Sequence, residues 1–414
     1  MPPIHAAPKK LHPVLWLLMI VPFGAVSGFT GVVLAYLATL RGLTVVEGAS
    51  LVAVGMLPHT VKFLWAPIVD MTLSRRTWYL LSAAACIAGI VAMAAVPLGP
   101  STLDLMRGVI FTVNLATTLL GMAVEGQMAH LTPPEERGRA GGWFQAGNLG
   151  GSGIGGGLGL FMAENLPAPW MSGAILGLAF ALCGIPAFFL PDVPREGTGR
   201  GPVGAVWDVV KDFFVIVTSR KGFLAALICF LPIGTGAATS VLAQAEIAAK
   251  WGADASHVGL VNGVFAGVIM AVGSLFGGEI CRRFEPRNVY AAIGAAMAGV
   301  ATVMAFAPPT PTTFVVGGLC YALVTGLAYA AFTGLVLQTI GAGAAATKYN
   351  IFASLSNTPI TYMGLVLASA VAAGGPRQML LTEAGFGLAG IAVFFAVSAT
   401  IGVLARRWAK HARA

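Results

Sequence analysis

Two charged residues stand where a chain this apolar should carry none. Lys62 lies in "LPHTVKFLWAPIVD" (Leu57–Asp70) and Glu125 in "TTLLGMAVEGQMAHL" (Thr117–Leu131). Each falls inside a stretch that reaches the roughly 20 residues needed to cross a bilayer. A charge at bilayer mid-depth costs at least about 2.5 kcal/mol on insertion scales, so such residues are suspects for function. Lys62 precedes Asp70 by eight residues, and Glu125 precedes Pro133 by eight. At a rise of 1.5 Å per residue, both lie roughly 12 Å in from the ends of their helices. Helices running in the same direction would therefore bring the two to one depth, where they can pair. A desolvated, unpaired carboxyl prefers to hold a proton, and an approaching ammonium favours the ionised form. Glu125 and Lys62 are the expected proton-coupling residues, with Lys62 as the switch. The alternative is that Lys62 snorkels to the surface while Glu125 satisfies local polar groups.

The exit of the first helix is charged as well: Asp70, then Arg75 and Arg76. Asp104 and Arg107 sit one turn apart at another helix mouth, as a surface ion pair or as part of a charge relay. Further candidates form stripes at helical spacing. Tyr321, Thr325, Tyr329 and Thr333 recur every four residues, and Asn350, Ser354, Asn357 and Thr361 follow a similar rhythm. Gln145, Asn148 and Ser152 form a third stripe, and Thr235, Thr239 and Gln244 a fourth. Hydrogen-bonding stripes avoid lipid, so each must face a neighbouring helix or a wet cavity. Lone Ser and Thr suit interhelix contacts. The longer amides and tyrosines suit a cavity, and Gln145, Asn148, Tyr321, Thr325, Tyr329, Asn350 and Asn357 are the expected solute-binding residues.

The elements that must position these groups follow from composition. The 414 residues are 57% hydrophobic and only 10% charged, with mean hydropathy +0.84. Soluble domains carry about 25% charged residues, so the chain is read as an all-α polytopic membrane protein. Its spans are expected at 13–39, 48–69, 77–97, 104–129, 140–163, 170–190, 222–247, 257–281, 287–307, 312–338, 347–373 and 382–405. These are numbered below as spans one to twelve. Cytoplasmic loops are enriched in Lys and Arg. With both termini inside, only Arg41, Arg107, Lys250 and Arg377 of the 24 basic residues fall outside, while Lys62 is within a span. The formal charge of +8 thus marks a membrane face and not a nucleic-acid site. Five scattered cysteines without a CxxC, and dispersed histidines, exclude a disulfide framework and a metal site. No cofactor is expected.

The domains expected are a six-helix half at 1–190, a cytoplasmic linker at 191–221 and a second six-helix half at 222–414. The linker opens "PDVPREGTGRGP" and continues as an amphipathic helix with Trp207, Phe213 and Phe214 toward lipid. Six plus six spans is the plan of transporters built from parallel repeats. "APIVDMTLSRR" after span two has a loose counterpart after span eight, "GEICRRFEPRN", with Asp70 opposite Arg282 and Arg75 opposite Arg287. Span eleven starts near Lys348, and its N-terminus carries a positive dipole end. Asp70 is expected to dock there, on Lys348, as a latch between the halves. Arg282 has the wrong sign for the matching role, so the latch is expected on one side only. "GGWFQAGNLGGSGIGGGLGL" (Gly141–Leu160) is no phosphate loop, lacking the GK[ST] ending. Its glycines let helices approach closely.

The loop after span two resembles the signature of the major facilitator superfamily. "LPHTVKFLWAPIVD", "LTPPEERG" (Leu131–Gly138) and "ATKYNIFASLSNTPITYMG" (Ala346–Gly364) resemble the AmpG-like permeases, a branch of muropeptide, siderophore and acetyl-CoA transporters. The resemblance implies the major facilitator fold with twelve transmembrane helices. It departs from the muropeptide permeases in lacking two extra spans, and in having Gly121 where their fourth span carries a second acid. The function expected is secondary active transport, proton-coupled, of a medium-sized amphipathic solute, muropeptide-like or siderophore-like, by alternating access. Drug or metabolite efflux and acetyl-CoA transport are alternatives on the same fold. A membrane-embedded transferase would want clustered catalytic side chains, and a transport-dead sensor is the third class. The expected setting is a bacterial inner membrane, the expected partners are solute, protons and lipid, and the expected state is a monomer that is not an enzyme.

Overall fold

The computed structural model describes residues 11–34, 37–38, 41–43, 45–192, 207, 211, 214–215, 217–242, 245–340 and 345–411. Among these, every regular element is a helix. Helical segments occupy each of the twelve expected ranges, and eight are long and apolar enough to cross a membrane. Spans two, five, seven and eleven fall short of that measure, and each has a visible cause.

Span two runs as Val45–Val61, then one 3-10 turn at Lys62–Leu64, then Ala66–Met71. Pro67 stands in the first turn of the last piece, where its missing N–H costs no helical bond. The indole of Trp65 donates to Thr118 Oγ1 (3.0 Å), fastening the break to span four. Lys62 therefore sits at a kink and not in the middle of a straight helix.

Span five is too glycine-rich to be strongly apolar. It is an α-helix at Arg137–Gly153, a π-helical segment at Ile154–Leu158 and a short helix at Gly159–Asn165. Its glycines serve two neighbours. A Cβ on Gly155 would come within 1.9 Å of the Ala25 carbonyl of span one, and one on Gly142 within 2.5 Å of the Ser274 carbonyl of span eight. Span five is thus wedged backbone to backbone between spans one and eight.

Span seven stops at Phe230 ahead of Pro232 and resumes at Ala238–Leu242. Between them Gly234 (φ +62°) and Gly236 (φ +61°) adopt the left-handed conformation that glycine tolerates without cost from a Cβ. Span eleven carries the densest polar stripe, and it meets span twelve at Gly374–Gly375, where the helical backbone breaks. Span twelve starts at that break and not at 382. Trp207 and Phe214 of the linker are exposed, while Phe213 and Gln244 lie outside the described residues.

Candidate functional site

A cavity of about 300 Å³ lies where spans one, two, four, five, seven, nine, ten and eleven converge. That is the lower end of the size range of small-molecule sites. Lys62 and Glu125 both face it. They are 8% and 4% exposed, so neither reaches bulk water freely. Their charges are close enough to interact, yet among the described residues they form no ion pair. Instead Asn350 Nδ2 of span eleven donates to Glu125 Oε2 at 2.7 Å. The carboxylate of span four is thereby tied to span eleven at the base of the cavity.

Gln145, Asn148, Tyr329 and Asn357 also line the cavity. Asn148 Nδ2 donates to Gln145 Oε1 (3.0 Å), and Gln145 Nε2 donates to Thr333 Oγ1 (2.9 Å). Thr333 Oγ1 is in turn 3.0 Å from the Tyr349 hydroxyl. One hydrogen-bonded chain thus crosses from span five to spans ten and eleven.

Three expected solute residues lie elsewhere. Asn350 is fully buried on Glu125, and neither Tyr321 nor Thr325 lines the cavity. Span ten is a helix of 30 residues, Pro311–Ile340. At about 3.6 residues per turn, each four-residue step overshoots by roughly 40°. The stripe therefore winds round the helix. Its upper members turn toward spans seven and twelve, Tyr329 lines the cavity, and Thr333 is buried on Gln145 and Tyr349. Thr325 abuts the Gly236 turn, and Tyr321 donates to Glu383 Oε2 at 2.7 Å.

Glu383 escaped the sequence reading because span twelve was begun at 382, which made it a residue at a helix mouth. With the helix starting at the glycine break, it is two turns in and 5% exposed. Its Oε1 accepts from Thr235 Oγ1 (3.3 Å) and from the Ala238 backbone N–H (3.2 Å). Two donors at the interruption of span seven and one from span ten thus converge on one carboxylate. His59 was also passed over as one of several dispersed histidines, though it lines the cavity one turn from Lys62.

The charged exit of span two is a built contact. Asp70 is 1% exposed and ion-paired with Arg75, whose Nη1 also donates to the Val69 carbonyl (2.7 Å). Asp70 Oδ2 accepts from the Thr347 backbone N–H (2.8 Å) and hydroxyl (2.5 Å) at the start of span eleven. Thr347, beside the expected Lys348, supplies these donors, because the backbone N–H at a helix start points along the axis. Lys348 is itself buried. Arg76 donates to the Leu190 carbonyl of span six, so it braces the fold and does not reach the latch. Arg282 pairs with Glu279 on its own helix (2.6 Å). A second link comes from another residue, Arg137, which donates to the Leu337 carbonyl of span ten (2.8 Å). Arg107 reaches Asp104 (2.8 Å) and also Ser50 of span two (2.7 Å).

The contacts of Asp70 and Arg137 close one end of the bundle, whereas Arg107 sits at the opposite end of spans two and four, and the cavity lies between. The family model described as Major Facilitator Superfamily matches residues 15–358. The chain belongs to the major facilitator superfamily. It is an integral membrane protein with a transporter fold, and the match spans both sets of helices. It is 25% identical over 262 residues to the anhydromuropeptide permease of Escherichia coli K12, covering 60% of this chain. That alignment takes in 52% of the permease, so the chain matches about half the length of this curated relative. Among solved structures it is similar to the E. coli fucose:proton symporter FucP (TM-score 0.70, 16% identity), covering 93% of this chain and 98% of that one. The human organic anion transporter TETRAN aligns with TM-score 0.68 and 17% identity, covering 92% and 98%.

Proposed function

We propose that this superfamily member is a proton-coupled secondary transporter working by alternating access. The observation that carries the reading is the bond from Asn350 to Glu125 at the cavity base. It makes the protonation state of one buried carboxylate part of the contact between spans four and eleven. The two rocking bodies are then 1–190 and 222–414, joined by 191–221. The Asp70 end faces the cytoplasm, with both termini inside and the membrane a bacterial inner membrane. In that orientation the structure is closed inward, with the Asp70–Thr347 latch engaged.

The solute is of medium size, amphipathic and rich in hydrogen-bonding groups, muropeptide-like or siderophore-like. Amides from span five meet aromatic faces from Tyr290, Tyr329 and Phe332 on the cavity wall, which suits a sugar or an aromatic ring. The similarity to a permease named for anhydromuropeptides favours the first of these classes. Proton coupling accords with two structural neighbours, proton symporters for fucose and xylose. Among the described residues Lys62 is the only lysine or arginine on the cavity wall, too little cationic charge for a polyphosphate such as acetyl-CoA.

Uptake into proteoliposomes under an imposed pH gradient tests this, with a labelled anhydromuropeptide and a labelled catecholate siderophore as probes. Accumulation of one probe that collapses with a protonophore is the expected result. Accumulation of either probe that ignores the gradient would remove proton coupling.

A further inference from the structure

The imidazole of His59 is held in one tautomer. Asn114 Nδ2 donates to the Ile110 carbonyl (2.9 Å), a partner that can only accept. That orients the amide, so its Oδ1 is the atom 3.2 Å from His59 Nε2. Oδ1 can only accept, so Nε2 carries the hydrogen. A neutral imidazole then has its acceptor at Nδ1. Asn114 is 2% exposed and stands behind the cavity wall, while His59 is on it. The edge of Phe23 packs against the ring (centroids 5.1 Å apart), which fixes its plane. Nδ1 has no protein partner among the described residues and is not sealed from the cavity.

Lys62 follows three residues later, near enough for its charge to act on His59. It too lines the cavity, is nine-tenths buried, and has no ion-pair partner among the described residues. Glu125, the nearest acid on the wall, is engaged by Asn350. Span two therefore presents an unpaired ammonium beside a hydrogen-bond acceptor of fixed direction. A buried charge without a counter-ion is costly unless something completes it.

We infer that His59 and Lys62 form a two-point recognition site for an anionic group flanked by a hydrogen-bond donor, as in a carboxylate next to a hydroxyl or amide N–H. Lys62 Nζ takes the carboxylate, and His59 Nδ1 accepts from the neighbouring donor. This rests on the reading of the cavity as the solute site. It also gives the proton a partner. A solute carboxylate on Lys62 withdraws that ammonium from Glu125, so anion and proton enter together.

The test uses the purified full chain and N-acetylmuramic acid, which has a carboxylate beside an amide and hydroxyls, against its neutral methyl ester. The wild type should bind the acid at least about tenfold tighter, the scale of one charge-assisted contact. Lys62→Met should erase that ratio, lowering acid affinity to that of the ester. His59→Gln keeps a donor for Asn114 but offers no acceptor at Nδ1, so it should weaken acid and ester alike by about tenfold. Equal binding of acid and ester by the wild type, no binding of either, or a ratio that survives Lys62→Met would overturn the anion assignment. Full affinity in His59→Gln, with an unchanged melting temperature, would overturn the role of His59. Asn148→Ala and Asn357→Ala report separately on the cavity. If they weaken both probes while the ratio survives Lys62→Met, the cavity stands and only the anion assignment falls. If they change neither probe, the cavity is not the solute site.

Discussion

At the scale of single residues, the chain separates groups that hold the fold from groups open to a solute. Glu383 belongs to the first kind. Its carboxylate collects donors from Tyr321, Thr235 and Ala238, and each buried donor left without an acceptor costs about 1–3 kcal/mol. Glu383→Leu should therefore lower the melting temperature of the purified protein markedly, by a loss of about 3 kcal/mol or more. A melting temperature within error of wild type would mean that water replaces the carboxylate. Tyr329 belongs to the second kind. Tyr329→Ala should weaken probe binding by about tenfold or more and leave the melting temperature nearly unchanged, whereas Tyr321→Phe should do the reverse. Both tyrosines look alike in sequence, eight residues apart on one four-residue stripe. Only the drift of that spacing around a 30-residue helix sends them to different places. Lys62 and Glu125 were legible because charge in an apolar run is expensive wherever the helix goes. His59 was not legible, because its assignment depends on Asn114, 55 residues away.

At the scale of elements, the interruptions matter more than the regular turns. The glycine run of span five reads in sequence as a close approach, whereas spans two and seven read as unbroken. The partners of that run could not be read, since packing partners are far apart in the chain. Gly142 abuts Gly278 and Ser274 of span eight, and Gly138 abuts Cys281. This interface stays tight only while both sides lack side chains. Gly142→Val should wedge spans five and eight apart at the Asp70 end. Cys281 is 2% exposed and serves as a native reporter. In a Cys320→Ser background, which removes the exposed thiol, maleimide labelling of Cys281 should rise several-fold in Gly142→Val. Labelling as slow as in the parent would show that the interface absorbs the methyl groups. The start of span twelve was misplaced for a related reason. The break at Gly374–Gly375 is sharper than a loop, so helix resumes at once and carries Glu383 inside.

At the scale of the whole molecule, the contacts at the Asp70 end form a clasp, and the cavity lies beyond it. Asp70 is its centre, joined to Arg75 and to the N–H and hydroxyl of Thr347 at the start of span eleven. Asp70→Asn should release the clasp and expose Cys281 to maleimide. Thr347→Val, which removes one hydroxyl contact and spares the Asp70–Arg75 pair, should do so more weakly. Unchanged labelling in both variants would leave the clasp without a gating role. The docking of Asp70 on span eleven was legible from the dipole of a helix start, since backbone N–H groups are present whatever the side chains. That Thr347 would be the partner, and that Arg137 would add a second link, depended on a geometry that spacing does not encode.

The account turns on Glu125, whose carboxylate joins the cavity to span eleven. Glu125→Gln keeps the shape and a hydrogen-bonding oxygen but cannot bind and release a proton. In proteoliposomes loaded with labelled anhydromuropeptide, or with whichever probe the wild type carries, the variant should still exchange solute across the membrane. Under an imposed pH gradient it should not accumulate solute above equilibrium. Accumulation by Glu125→Gln at the wild-type level, with the same dependence on the gradient, would contradict the coupling role of Glu125.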